Sequence, residues 1–227
     1  MKRGFKTRRS VVVLLLVTGG ILGISMHPEF WQVPAPVSQN EVPGMAFQAL
    51  GELEVKGRAP KTGYTRAQFG DGWAEIKGCD TRNTILARDL TDVRINEKCQ
   101  VVSGILNDPY TGKSIQFQRG EGTSDDVQID HIVALSDAWQ KGAQQLTAAR
   151  REELANDPLE LLAVEGAANQ QKSDSDAASW LPSQEAFRCQ YVARQVAVKK
   201  KYTLWVTAAE KDAIIRILAT CPGQSIP

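Results

Sequence analysis

The sequence predicts an α+β fold: a β-hairpin with surrounding helices, stapled by two disulfides. Three observations point there. Two β-type stretches flank a dense turn at 107–112, a short apolar run from Leu159 to Val164 lies among helical patterns, and all four cysteines lie beyond the first 25 residues. With 42% hydrophobic and 23% charged residues in 227, there is enough apolar material for one real core.

The chain opens on Lys2, Arg3, Lys6, Arg8 and Arg9, followed by an uncharged, mostly apolar run from Val11 to Met26. That is the order of an export leader. Gly23-Ile24-Ser25 offers small residues for cleavage before Met26, so residues 1–25 read as a signal peptide. The competing reading is an uncleaved anchor, a membrane tether through residues 11–26. The run is short for a span of about 20 residues, with Phe30 and Trp31 placed as interfacial aromatics. Either way the folded part is expected outside the cell, secreted or held at the membrane. Residues 26–45 hold Pro28, Pro34, Pro36 and Pro43 without periodicity and read as a linker. The folded domain is placed at 46–222, with 223–227 as a tail.

An even number of cysteines in an exported chain favours disulfides. Spacing favours Cys79 with Cys99 and Cys189 with Cys221. A zinc site is the alternative, but there is no Cys-x-x-Cys and neither histidine lies near a cysteine. Of 27 lysines and arginines, the five in the leader leave 22 against 26 acids, a mature charge of about −4. A broad basic face for nucleic acid is thereby excluded, and phosphate binding has to rest on a local patch and a metal.

Along the domain, Met45–Leu53 is a short apolar-periodic stretch, and 57–72 is rich in Gly, Lys, Arg and Pro. Asp80–Leu90 reads as a helix entered from an Asp or Thr cap. Val101–Leu106 and the stretch through Ile115 and Phe117 read as hairpin strands. Helices are expected over 131–145, 148–155, 184–200 and 207–218, the last opened by a Thr207-Ala-Ala-Glu210 capping box.

Within the domain His131 is the lone histidine, directly after Asp130 in VQIDHIVALSDAW. A lone histidine among apolar neighbours is often a core residue. The second segment, LELLAVEGAANQQKSD from Leu159 to Asp174, changes the weighing, because a strand leads through a Gly turn into Asn169, Lys172 and Asp174.

These two halves match an HNH, or ββα-metal, motif. Over residues 64–221 the chain resembles the secreted bacterial HNH endonucleases, akin to the carboxy-terminal nuclease domain of GmrSD-type restriction enzymes. The stretches that carry the resemblance are GCDTRNTILARDL, DPYTGK, VQIDHIVALSDAW, ANDPLELLAV, NQQKSD and RCQYVARQVAVKKKY. Asp130-His131 and Asn169 to Asp174 are also similar to the target-strand nuclease domain of CRISPR effectors.

The resemblance implies a ββα-metal (HNH) core with His131 as general base and Asp130 and Asn169 as metal ligands. The family's middle Asn falls at Glu160, which either accepts the His131 N–H or points elsewhere and leaves that role to Asn156. A neutral imidazole suits the base role. One carboxylate and one amide oxygen make a hard site for Mg²⁺ or Mn²⁺, with Zn²⁺ disfavoured. Lys172 is a candidate for a substrate phosphate, against a solvated lysine. Arg82 and Arg88 are candidates for transition-state or backbone contacts, Arg82 against an ion pair with Asp80 or Asp89. Lys199, Lys200 and Lys201 are a candidate phosphate patch, against a solvated helix end. Asp137 and Asp174 are read as supporting groups. Trp139, Trp180 and Trp205 are assigned to the core.

The expected activity is metal-dependent hydrolysis of DNA or RNA with little sequence specificity. No obligate protein partner is evident. Two other readings stand beside it: an HNH-like nucleic-acid-binding module that has lost catalysis, and a cell-envelope protein in which the Asp-His pair is architectural.

Overall fold

The computed structural model describes residues 44–227, apart from Lys77, Gly122, Thr123 and the Ile76 side chain. The leader, the tether at 11–26 and the linker up to residue 43 lie outside the described residues. Among those described, no helix is long and apolar enough to cross a membrane.

Helix α1 (Met45–Glu52) buries Ala46, Ala49 and Leu50 against the C-terminal helices. A short ribbon, β1 (Glu75–Ile76) with β2 (Cys79–Asp80), leads into α2 (Thr81–Asp89). Asp80 caps α2 by accepting the Asn83 N–H at 2.7 Å, as the sequence predicts. The hairpin is β4 (Val101–Asn107) against β5 (Ser114–Gln118), in register from Ser103 opposite Gln118 to Asn107 opposite Ser114. Asp108 builds its turn, accepting from the Thr111 N–H at 2.8 Å and the Thr111 hydroxyl at 2.6 Å. Gly112 supplies the positive φ of 76° that the turn requires. A third strand, β3 (Thr91–Ile95), pairs with β4. Its sequence, TDVRI, lies almost wholly exposed and so lacks the alternating pattern that would reveal it.

The site is built on β6 (Val127–His131) and β7 (Leu161–Glu165), antiparallel from Val127 opposite Glu165 to His131 opposite Leu161. The helix α5 (Gly166–Lys172) follows directly. Two strands alone are marginal. Here Leu161 and Ala163 face Ile85 and Leu86 of α2, while Leu162 and Val164 join Ala168 of α5 in the largest core cluster. A Cβ at Gly166 would stand 2.0 Å from the Asp125 carbonyl, so only glycine lets the chain turn from strand into helix there.

The helix expected from His131 is corrected by this pairing. Strand β6 runs through His131, and α3 begins only at Leu135 (Leu135–Gln140). Ile132 and Val133 are buried in the connection, so their apolar run reflects burial rather than helical periodicity. Gly142, at φ 123°, then breaks the chain before the expected end at Gln145.

Helices α4 (Ala148–Asn156), α6 (Arg188–Lys201) and α7 (Ala208–Leu218) complete the fold. Thr207 caps α7 by accepting the Glu210 N–H at 3.1 Å. The return bond of a capping box is replaced, because the Glu210 carboxylate joins Lys141 and Lys199 instead. Residues 223–227, expected as a tail, close onto α1: the Ala46 N–H donates to the Gln224 carbonyl at 3.0 Å, and Ile226 packs on the core. The disulfides are Cys79–Cys99 and Cys189–Cys221. Their spans of 20 and 32 residues correspond to about 3 and about 4 kcal/mol of loop-closure stabilisation.

Candidate active site

Strand alternation decides which side chains meet. Successive residues of β6 point to opposite faces, so Gln128 and Asp130 share one face and Val127, Ile129 and His131 the other. At the strand end both faces open on one cavity of about 410 Å³, lined by Lys61, Arg66, Asp130, His131, Asn169 and Asp174 among others. The three residues expected as base and ligands, Asp130, His131 and Asn169, are thus brought into one wall.

Asp130 is 5% exposed and held from two sides. The Tyr110 hydroxyl donates to Oδ2 at 2.5 Å, and the Lys172 ammonium lies 2.9 Å from Oδ1. Lys172 also donates to the His131 carbonyl at 2.8 Å and is fully buried. Burial pushes the Asp130 carboxyl up from its ordinary value, against the pull of Lys172 and Tyr110. Tyr110 reaches this position because Asp108, which shapes its turn, also accepts the Glu165 N–H at 2.9 Å and ties the hairpin to β7.

His131 stacks on Trp73 with ring centroids 5.8 Å apart and planes 5° from parallel. Its Nε2 lies 3.0 Å from the Ala155 carbonyl. A carbonyl can only accept, so Nε2 carries the proton and Nδ1 holds the ring's basic lone pair. Burial first, then the nearby charge of Arg66, push the imidazole pKa down to about 3, which leaves the ring neutral at physiological pH.

Asn169 donates from Nδ2 to Gln128 Oε1 at 2.8 Å. This orients the amide and leaves its oxygen as the acceptor for another partner. Among the described residues no group of three or more histidine, cysteine or acidic side chains converges to hold a metal. Of the residues that line the cavity, Asp130 offers a carboxylate and Asn169 an amide oxygen, hard donors of the kind that suit Mg²⁺ or Mn²⁺.

Glu160 is placed elsewhere. Fully buried, it accepts the Val133 N–H on Oε2 at 3.1 Å, and its carbonyl takes the Ile132 N–H at 2.9 Å. It braces the connection after His131 and makes no hydrogen bond to the ring, whose partner is Ala155. Asn156 is engaged with the Ala74 N–H at 2.8 Å. Oε1 of Glu160 has no hydrogen-bond partner among the described residues, and burial pushes this carboxyl well above its ordinary 4.5. A raised folded pKa means a stability contribution fully present below the unfolded value and lost as pH rises through the folded one. Glu160→Gln should therefore match the wild type in Tm near pH 4 and exceed it by several degrees at pH 8; parallel Tm–pH curves would contradict this.

The remaining sequence candidates lie away from the cavity. Arg82 sits over the Phe117 ring and donates to the Val127 carbonyl at 3.4 Å. Arg88 binds Asp89 and the carbonyls of Pro158 and Leu161 at 2.6–2.7 Å, clamping the turn that carries Glu160. Lys199 is buried, Lys200 pairs with Glu52 and Lys201 with Asp157, so the basic run holds helices together. Sequence reasoning missed Lys61, Arg66, Trp73 and Tyr110. The first three come from a Gly- and Lys-rich stretch without periodicity, and only Tyr110 stood in a stretch, DPYTGK, that carried a signal.

The comparisons agree with this geometry. Residues 80–217 match the family described as "GmrSD restriction endonucleases, C-terminal domain". The chain belongs to this family. The match points to a nuclease domain of the HNH type, and the order of β6, β7 and α5 is compatible with its ββα core. A protein of Arthroderma benhamiae, described as "Uncharacterized secreted protein", is 38% identical over 194 residues, covering 83% of this chain and 92% of its own. That relative is fungal, so the bacterial origin in the resemblance gains no support from it. No solved structure matches. The GmrSD match begins at Asp80, so the stretch supplying Lys61, Arg66 and Trp73 to the cavity precedes it.

Proposed function

We propose that the chain is an exported, divalent-cation-dependent endonuclease that hydrolyses phosphodiester bonds of DNA with little sequence specificity. The leader at 1–25 is removed and 46–222 carries the activity. The observation behind this reading is the 3.0 Å approach of His131 Nε2 to the Ala155 carbonyl, which assigns the proton to Nε2 and leaves Nδ1 as a neutral base on a residue of the wall that also holds Asp130 and Asn169.

In this scheme His131 Nδ1 takes a proton from the attacking water. The water oxygen forms its bond to phosphorus, the ester P–O bond breaks opposite it, and the departing oxygen takes a proton from solvent. An anionic phosphodiester in the cavity favours the protonated imidazole and moves its pKa back toward the operating range. Asp130 and Asn169 would hold the cation, which supplies charge stabilisation to the phosphoryl and leaving oxygens. Lys172 and Tyr110 position Asp130, Gln128 positions Asn169, and Glu160 positions the connection after His131; Lys172 therefore acts through Asp130 rather than on substrate.

Supercoiled plasmid incubated with the mature chain, disulfides intact, in Mg²⁺, Mn²⁺ or EDTA tests the proposal. Cutting that needs the metal is expected. DNA bound without cutting under either cation would overturn it in favour of a binding module, and RNA in a parallel incubation decides the substrate class.

A further inference from the structure

The cations that the sequence offers for phosphate are all engaged: Arg82, Arg88 and Lys172 in bonds that hold the fold, and the run Lys199–Lys201 in ion pairs. In the cavity wall two cationic side chains remain, Lys61 and Arg66. Lys61 pairs with Asp174 at 3.0 Å. Arg66 is exposed and has no ion pair or hydrogen bond among the described residues.

Its backbone, by contrast, is fixed. Arg66 opens a 3₁₀ turn, Arg66–Phe69, whose Phe69 is 2% exposed and packs edge-on against Trp139 and Tyr64. Arg151 binds the Gln68 carbonyl at 2.7 Å and its side-chain oxygen at 3.1 Å. Arg66 lines the main cavity and also a smaller one of about 110 Å³ floored by Trp73, and His131 is likewise common to both. A free guanidinium on a rigid turn thus stands beside the base, in a chain whose mature charge of about −4 offers phosphate little elsewhere.

We propose that Arg66 binds the scissile phosphodiester in the cavity beside His131, its fork engaging the non-bridging oxygens and stabilising the charge that grows on them. This rests on the nuclease reading of the site and adds to it a residue that precedes the family match. Preorganised donors of this kind contribute about 10²–10³-fold to rate.

The test measures two readouts on the mature chain, plasmid cleavage in Mn²⁺ and binding of a short fluorescein-labelled DNA duplex in EDTA across a salt series. Arg66→Ala should cut about 10²–10³-fold more slowly. It should bind with a salt slope shallower by about 0.9, one phosphate contact fewer, and melt at the wild-type temperature because the side chain is exposed and unpaired. Arg66→Lys should recover part of the rate, keeping the charge without the fork. Wild-type cutting and binding by Arg66→Ala overturn the assignment and leave the nuclease reading standing. A wild type that binds through Arg66 but never cuts refutes the nuclease reading and keeps the phosphate role. A wild type that neither binds nor cuts overturns both.

Discussion

Glutamine at His131 is expected to lower cleavage by about 10²–10⁴-fold, the range a positioned general base contributes, while the protein stays folded. His131 is 7% exposed, stacked on Trp73 and bonded to the Ala155 carbonyl, so alanine would remove structure along with chemistry. The glutamine amide can reach the same carbonyl as a donor, but it has no basic lone pair. His131→Gln therefore separates the two roles. Circular dichroism and Tm should stay near wild type, and a Mn²⁺-induced Tm shift should persist, because the ligands proposed for the cation, Asp130 and Asn169, are untouched and a ligand that binds the native state raises stability. Cleavage by His131→Gln within a few-fold of wild type would remove His131 from the chemistry.

What the sequence revealed and what it hid divide along a physical line. Local features were legible: the Asp80 cap, the Asp108–Gly112 turn, the Thr207 cap and the two disulfide spans each depend on residues close together in the chain. The convergence of Asp130, His131 and Asn169 was legible too, through two short motifs. Long-range environment was not. Lys172 reads equally as a surface lysine or a phosphate ligand until Asp130, 42 residues away in sequence, closes on it. Glu160, where the resemblance puts the family's middle Asn, could accept from His131 or point elsewhere by sequence alone; in the fold its side chain accepts from the Val133 N–H, and the ring's partner is the Ala155 carbonyl. Arg66 belongs to a stretch with no periodic signal, residues 57–72, and its place at the cavity follows from where this N-terminal arm is anchored rather than from its own neighbours.

That anchor predicts the largest stability effect. Lys141 is fully buried, with its ammonium 2.8 Å from Asp137, 2.7 Å from Asp176 and 2.7 Å from Glu210. Lys199 completes Glu210 at 2.9 Å, and Arg58, reaching in from the N-terminal arm, binds Asp137 at 2.7 Å and Asp176 at 3.0 Å. Three cations face three carboxylates, drawn from α3, α6, α7, the chain after α5 and the arm that carries Lys61, Tyr64 and Arg66. Lys141→Met leaves three buried acids against two cations, one of them partly exposed, and breaking a buried network in this way costs about 3–5 kcal/mol. In a domain of this size that is a fall in Tm of about 6–20 °C.

Acid provides the control. Burial raises the Asp176 carboxyl, but the bonds and charges of Lys141 and Arg58 outweigh it and hold the pKa at about 2. A depressed folded pKa gives stability that is present above the unfolded value and lost as pH falls through the folded one. Without Lys141 this carboxyl protonates more readily, so the gap between wild type and Lys141→Met should be widest at neutral pH and shrink between pH 4 and 2. Thermal melts at pH 7 and pH 3 measure it, and a variant within 2 °C of wild type at pH 7 would show that the network does not hold the arm. If the gap is found as expected, Lys141→Met should also lose cleavage out of proportion to the fraction unfolded, because the arm that places Arg66 beside His131 is fastened through Arg58 to the same cluster.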